Sequence, residues 1–181
     1  MRRDAAVRRA ALIAAAGACF TERGYDVPLE EIAIRAGVGR GTLYRNFRDR
    51  RALALAIFAA EIDRIAEVVA RGHDLHRSMI DLALMGARGT GLFARIGAEL
   101  VVDTTAMIAV EALGTRLAEA LDPLARRGQQ CGELRSDVDG AKLGLALRMI
   151  SSLVPELRVD GGATDVLHEA LNLMIDGMKP R

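Results

Sequence analysis

The chain has 181 residues, 51% hydrophobic but only 3% aromatic and without tryptophan: enough for a packed core, poor in what β-sheets lean on. Ala and Leu dominate and four prolines interrupt, which points to an all-α protein. The net charge of +1 hides an asymmetry, because residues 1–51 hold eleven arginines against six acids, a net +5, while residues 52–181 stand at −4. A polyanion partner is therefore expected for the head alone.

Cys19 and Cys131 are isolated, with no CxxC and no neighbouring histidine. That excludes a disulfide framework and a zinc motif, and free thiols fit a reducing, cytoplasmic setting. The first twenty residues have the composition of a secretory signal. Leu12, Ala16 and Phe20 nevertheless recur every four residues, and the run passes straight into a helix end and a turn, so an amphipathic helix is expected instead. No run of about eighteen apolar residues follows, so no membrane span is expected.

In chain order, residues 4–23 read as a first helix closed by Gly24, a C-terminal stop. Pro28 opens a short second helix, LEEIAIRA, with Glu30 and Glu31 in its first turn, and Gly37 stops it. A third short helix covers about 39–46. Asp49 can cap a long fourth helix over 50–71, whose Leu53, Ile57, Ile62, Ile65 and Val69 keep helical spacing. Further helices are expected at 76–86, 92–101 and 104–127, a loop at 127–140, and two last helices at 140–154 and 164–178.

Two short helices joined by Ala36-Gly37-Val38 have helix-turn-helix spacing, with Ala33, Val38 and Leu43 placed to lock them. Such a unit sets the start of its second helix against base edges in the major groove. Here that start is Gly39-Arg40-Gly41-Thr42. Arg40 can give two donors to guanine O6 and N7, Thr42 can meet a thymine methyl or a phosphate, and Gly41 allows close approach. Tyr44, Arg45, Asn46, Arg48 and Arg50 suit phosphates.

The stretch AALIAAAGACFTERGYDVPLEEIAIRAGVGRGTLYRNFRDRRALALAIF resembles the DNA-binding domain of the TetR family of bacterial regulators. The apolar first helix ending in F-x-x-x-G, then EIAxxAGV, then GTLYxxF and a basic start to the fourth helix carry the resemblance. It implies a helix-turn-helix domain over 1–51 and a helical effector-binding and dimerisation domain over 52–181. It also implies a homodimeric repressor on double-stranded, palindromic DNA, released by a small-molecule effector, with DNA contacts at Arg40, Gly41, Thr42, Tyr44, Arg45, Asn46 and Arg50. The chain departs from the family at Pro28 and Leu29, where hydroxyl residues are common, at Gly39, often Ser, and at Asn46, often His.

The last two helices are apolar on more than one face. Leu143, Leu147, Ile150, Leu167, Leu171, Met174 and Ile175 are candidates for a two-fold four-helix interface, with Leu145, Met149, Val166 and Leu173 extending the apolar surface. Packing inside the monomer is the other reading. Met79, Met85, Phe93, Met107 and Ile108 are candidates for an adaptable apolar effector pocket. His73 and His76 lie three apart without further ligands and read as surface residues, while His168 reads as structural or interfacial. No metal or cofactor is expected. The loop GARGTG lacks the GK[ST] of a phosphate motif, and no Ser-His-Asp or Cys-His set can be assembled. Two rival readings are a DNA-binding regulator without a small ligand, controlled by a protein partner or by abundance, and a helical enzyme with a phosphorylated substrate.

Overall fold

The computed structural model describes residues 2–86, 104–157 and 163–180. The helix expected over 92–101, most of the GARGTG loop and Phe93 fall outside them. The described residues form eight helices and no strand: α1 (Arg2–Arg23), α2 (Leu29–Arg35), α3 (Arg40–Asn46), α4 (Arg50–Ala70), α5 (Leu75–Gly86), α6 (Thr104–Gln130), α7 (Gly140–Leu157) and α8 (Ala163–Met178).

They divide into two units. The first holds residues 2–61 and 104–110, and the second holds 62–86, 111–157 and 163–180. In the first unit, Leu12, Ala16 and Phe20 of α1 bury the face that their spacing predicts, with Tyr25, Val27, Ile32, Leu43, Phe47, Leu53, Ile57 and Phe58 buried alongside. The local signals behave as read from the sequence. Gly24, with positive φ, donates to the Phe20 carbonyl and ends α1. The Asp49 carboxylate accepts from the Ala52 amide at 2.7 Å and starts α4. Pro28 stands one residue earlier than expected, as the N-cap of α2 rather than its first helical residue. That position also tolerates a residue with no N–H.

The second unit is built on α5, α7 and α8, which pack on one another, with Ile65, Val68 and Val69 of α4 and Leu117, Leu121, Leu124 and Ala125 of α6 contributing to the same apolar core. Asp74 and Asp139 cap α5 and α7 by accepting from the amides of Arg77 and Lys142. α6 continues to Gln130, three residues beyond the end expected at 127. The GQQ segment stays helical because Gly128 is buried, its missing side chain replaced by Leu134, whose own amide returns to the Gly128 carbonyl at 3.1 Å. Likewise α7 runs through Pro155 to Leu157 instead of stopping at 154. Its start is pressed onto α6: the Gly140 amide donates to the Asp122 carboxylate at 2.9 Å, and a Cβ there would collide with the Ala118 carbonyl oxygen.

Candidate nucleic-acid interface

The turn between α2 and α3 is closed by backbone bonds. Ala36, Gly37 and Val38 donate to the carbonyls of Ile32, Ile34 and Ala33 at 2.9–3.0 Å. Gly37 has φ +66°, a left-handed conformation that a side chain would disfavour. Ala33 and Leu43 are buried, as the locking role requires, and Val38 is half-buried. Leu43 and Phe47 turn one side of α3 inward, and a guanidinium from Arg9 of α1 lies 4.8 Å from the Phe47 ring centroid. The opposite side of α3 therefore faces solvent, with Arg40, Gly41, Tyr44 and Arg45 exposed and Thr42 and Asn46 half-buried.

α1 and α2 are tied by two ion pairs. Arg35 makes a two-pronged contact with Glu22 at 2.5 and 2.8 Å, and Arg23 pairs with Glu31. The Arg35 bond pulls the Glu22 carboxyl below its ordinary range and raises the guanidinium further. These pairs leave α3 with its own set of partners. Arg45 donates back to the Gly41 carbonyl at 3.1 Å and to the Thr42 hydroxyl at 3.4 Å, and the Asn46 amide donates to the Thr42 carbonyl at 2.7 Å. These three bonds fold the Arg45 and Asn46 side chains back along α3 itself.

Arg40 and Tyr44 behave differently. The Arg40 Nη2 lies 3.1 Å from the Glu30 Oε1, and the Tyr44 hydroxyl donates to that same oxygen at 3.3 Å. Arg40 also lies over the Tyr44 ring at 5.6 Å. The bond from its own backbone amide, then the nearby Arg40 charge and the Tyr44 hydroxyl, hold the Glu30 carboxyl below its ordinary value despite some desolvation. From sequence Glu30 is only an acid suited to a helix start. Its pairing with Arg40 needs the turn at Gly37 to bring residues ten apart together, and helical periodicity does not report that.

The two arginines flanking α4 also separate. Arg48 is exposed and pairs with the neighbouring Asp49 at 3.1 Å. Arg50 is half-buried, donates to the Tyr25 carbonyl and lies 5.4 Å from the Tyr25 ring centroid. It thus braces the loop after α1 as well as contributing charge.

The other candidate sets are distributed as follows. Met79 is fully buried in the core of the second unit and Met85 packs partly against that core, whereas Met107 and Ile108 belong to the first unit and are exposed. Phe93 is outside the described residues. Leu143, Leu147, Ile150, Leu167, Leu171 and Ile175 are buried within the chain, and Met174 packs partly against the same core. The apolar residues of α7 and α8 that remain exposed are Leu145, Met149, Val166 and Leu173. His76 joins His168 rather than His73: the rings stack at 5.6 Å, and His76 Nε2 lies 3.0 Å from the Asn172 side-chain oxygen. Among the described residues no group of three or more His, Cys, Asp or Glu is arranged to hold a metal, and no helix is long and apolar enough to cross a membrane.

Residues 12–57, which run from the middle of α1 into α4 and include the whole α2-turn-α3 pair, match the model for bacterial regulatory proteins of the tetR family. An HTH-type transcriptional regulator of Mycobacterium tuberculosis is 30% identical over 158 residues, covering 83% of this chain and 82% of the relative. The HTH-type transcriptional repressor AcnR of Corynebacterium diphtheriae is 25% identical over 179 residues, 97% of this chain and 94% of its own. Among solved structures, a TetR regulatory protein from Mycobacterium vanbaalenii is 26% identical with a TM-score of 0.67, over 99% of both chains. These relatives are regulators, not enzymes, and their likeness extends well past the helix-turn-helix into the second unit. With a glycine-turned helix pair that buries one side of α3 and exposes its arginines, the chain belongs to the TetR family of DNA-binding transcriptional regulators.

Proposed function

We propose that this regulator is a homodimeric repressor that binds a palindromic operator and leaves it when a small molecule binds. The observation that carries the DNA part is the exposed side of α3, where Arg40, Gly41 and Tyr44 are exposed and Thr42 half-buried, while Leu43 and Phe47 anchor the other side in the core. Arg40 reads a guanine edge; Tyr44, Arg45, Asn46, Arg48 and Arg50 grip phosphates. In this reading residues 1–51 are the DNA-binding domain and residues 52–181 the effector-binding and dimerisation domain. The repressor sign follows the relative from Corynebacterium diphtheriae.

Two copies of the chain meet through the exposed apolar residues of α7 and α8, namely Leu145, Met149, Val166 and Leu173. The effector is a small, largely apolar molecule taken up among the helices of the second unit, where Met79 and Met85 supply side chains that adapt to irregular shapes. Its differential affinity for the released state supplies an allosteric coupling of about 1–3 kcal/mol.

Selection from sheared genomic DNA with the purified protein at physiological salt tests this reading. The expected product is a palindrome with half-sites about 34–36 Å apart. Salt-sensitive binding without any motif would mean that the arginines grip phosphate alone, and the repressor reading would fall.

A further inference from the structure

We propose that Glu30 determines the sequence specificity of α3 by holding and partly neutralising Arg40, which turns that arginine from a phosphate grip into a base reader. The inference rests on the DNA-binding reading above. Its basis is a closed triangle: one oxygen of Glu30 takes both Arg40, at 3.1 Å, and the Tyr44 hydroxyl, at 3.3 Å, while Arg40 lies over the Tyr44 ring. Residues 40 and 44 are one helical turn apart, so both reach the same acceptor from the same side of α3.

Two consequences follow from this arrangement. First, Arg40 is 71% exposed and carries a long, rotamer-rich side chain, and the triangle reduces the freedom it would lose on binding DNA. Second, the neighbouring carboxylate discriminates between ligands. A guanine edge is a neutral acceptor pair and can take the donors that Glu30 leaves unused. A phosphate is an anion, and its attraction to Arg40 is offset by repulsion from Glu30. Glu30 therefore weakens binding to arbitrary DNA more than binding to the operator. Two nearby glutamates are spent elsewhere, Glu22 on Arg35 and Glu31 on Arg23, both joining α1 to α2. Glu31 thus offers a control with the same charge on the same short helix, its ion pair made to α1 instead of α3.

The experiment compares wild type, Glu30→Gln, Glu31→Gln, Arg40→Ala and the Glu30→Gln/Arg40→Ala double variant. Each is subjected to selection from a random-sequence duplex pool, followed by binding titrations on the wild-type motif and on unselected pool DNA across salt concentrations. For Glu30→Gln, the ratio of motif to pool affinity is expected to fall about tenfold, with relaxation centred on one base position of each half-site. Its binding to pool DNA is expected to tighten and its salt slope to steepen by about one. Glu31→Gln should keep the wild-type ratio and motif, and in the Arg40→Ala background the Glu30 substitution should leave the ratio unchanged. An unchanged ratio in Glu30→Gln, an equal drop in Glu31→Gln, or an effect that persists without Arg40 overturns the proposal while leaving the DNA-binding reading intact. A wild-type chain that enriches no motif overturns both.

Discussion

At the scale of single residues, the arginines that make the head basic hold different partners. Arg40 is exposed and held only from its side by Glu30 and Tyr44, whereas Arg50 is half-buried against the Tyr25 carbonyl and ring. The two should therefore fail in different ways. Arg40→Ala is expected to relax specificity at one base position, costing about 1–3 kcal/mol on the operator with little change in the melting temperature. Arg50→Ala should weaken binding to all sequences and flatten the salt slope. It should also cost about 1 kcal/mol of stability through the lost bond to the Tyr25 carbonyl. Titrations on operator and mismatched duplexes, with urea unfolding of the same variants, check this. Equal losses from both variants on every sequence would show that the roles are not divided.

At the scale of elements, the helices are positioned by caps and by close backbone approaches. α7 begins where Gly140 meets α6, and a Cβ would lie 2.7 Å from both the Asp122 amide and its carboxylate, besides colliding with the Ala118 carbonyl. The obstacle is largely backbone, so α6 and α7 would have to separate. Gly140→Ala is expected to lose about 1–3 kcal/mol in urea unfolding. Just before that junction, Asp137 accepts from Arg135 at 2.9 Å, and Lys142 lies 3.3 Å from it. The Arg135 bond first and the Lys142 bond second hold its carboxyl down at about 2, from an ordinary 3.8. A depressed carboxyl contributes stability that is fully present above its unfolded pKa and lost as pH falls through the folded one. The difference between wild type and Asp137→Asn in urea midpoint should be constant above about pH 5 and shrink between about pH 4 and 2. A difference that instead grows on acidification would rule out this ion pair as its source.

At the scale of the molecule, α7 and α8 are apolar around more than one face, and the fold decides which face is spent internally. Leu143, Leu147, Ile150, Leu167 and Leu171 go to the core, and Leu173 and Met149 stay 70% and 56% exposed. Since the dimer we propose uses the exposed set, Leu173→Arg should yield a monomer in sedimentation at micromolar concentration. It should leave the melting of the monomer close to that of wild type and weaken operator binding at least about tenfold, because one head alone reads a half-site. A Leu173→Arg protein that remains dimeric would move the interface elsewhere.

The sequence by itself determined the DNA-reading part, because its signals are short-range. The α1 stripe, the stop at Gly24, the cap at Asp49 and the turn at Gly37 each act within a few residues, and the structure places them as the pattern predicts. Even the small misreadings are local, such as Pro28 standing one residue outside α2 and α6 running on to Gln130 over the buried Gly128. The tertiary structure alone decided how distant groups are paired. Glu30 reaches Arg40 only because the turn folds α3 against α2, and His76 meets His168 only because α5 packs on α8. The choice of buried face on α7 and α8 is of the same kind. Where a helix is apolar on more than one face, its periodicity does not say which of those faces will meet the core, so the packing of its neighbours settles it.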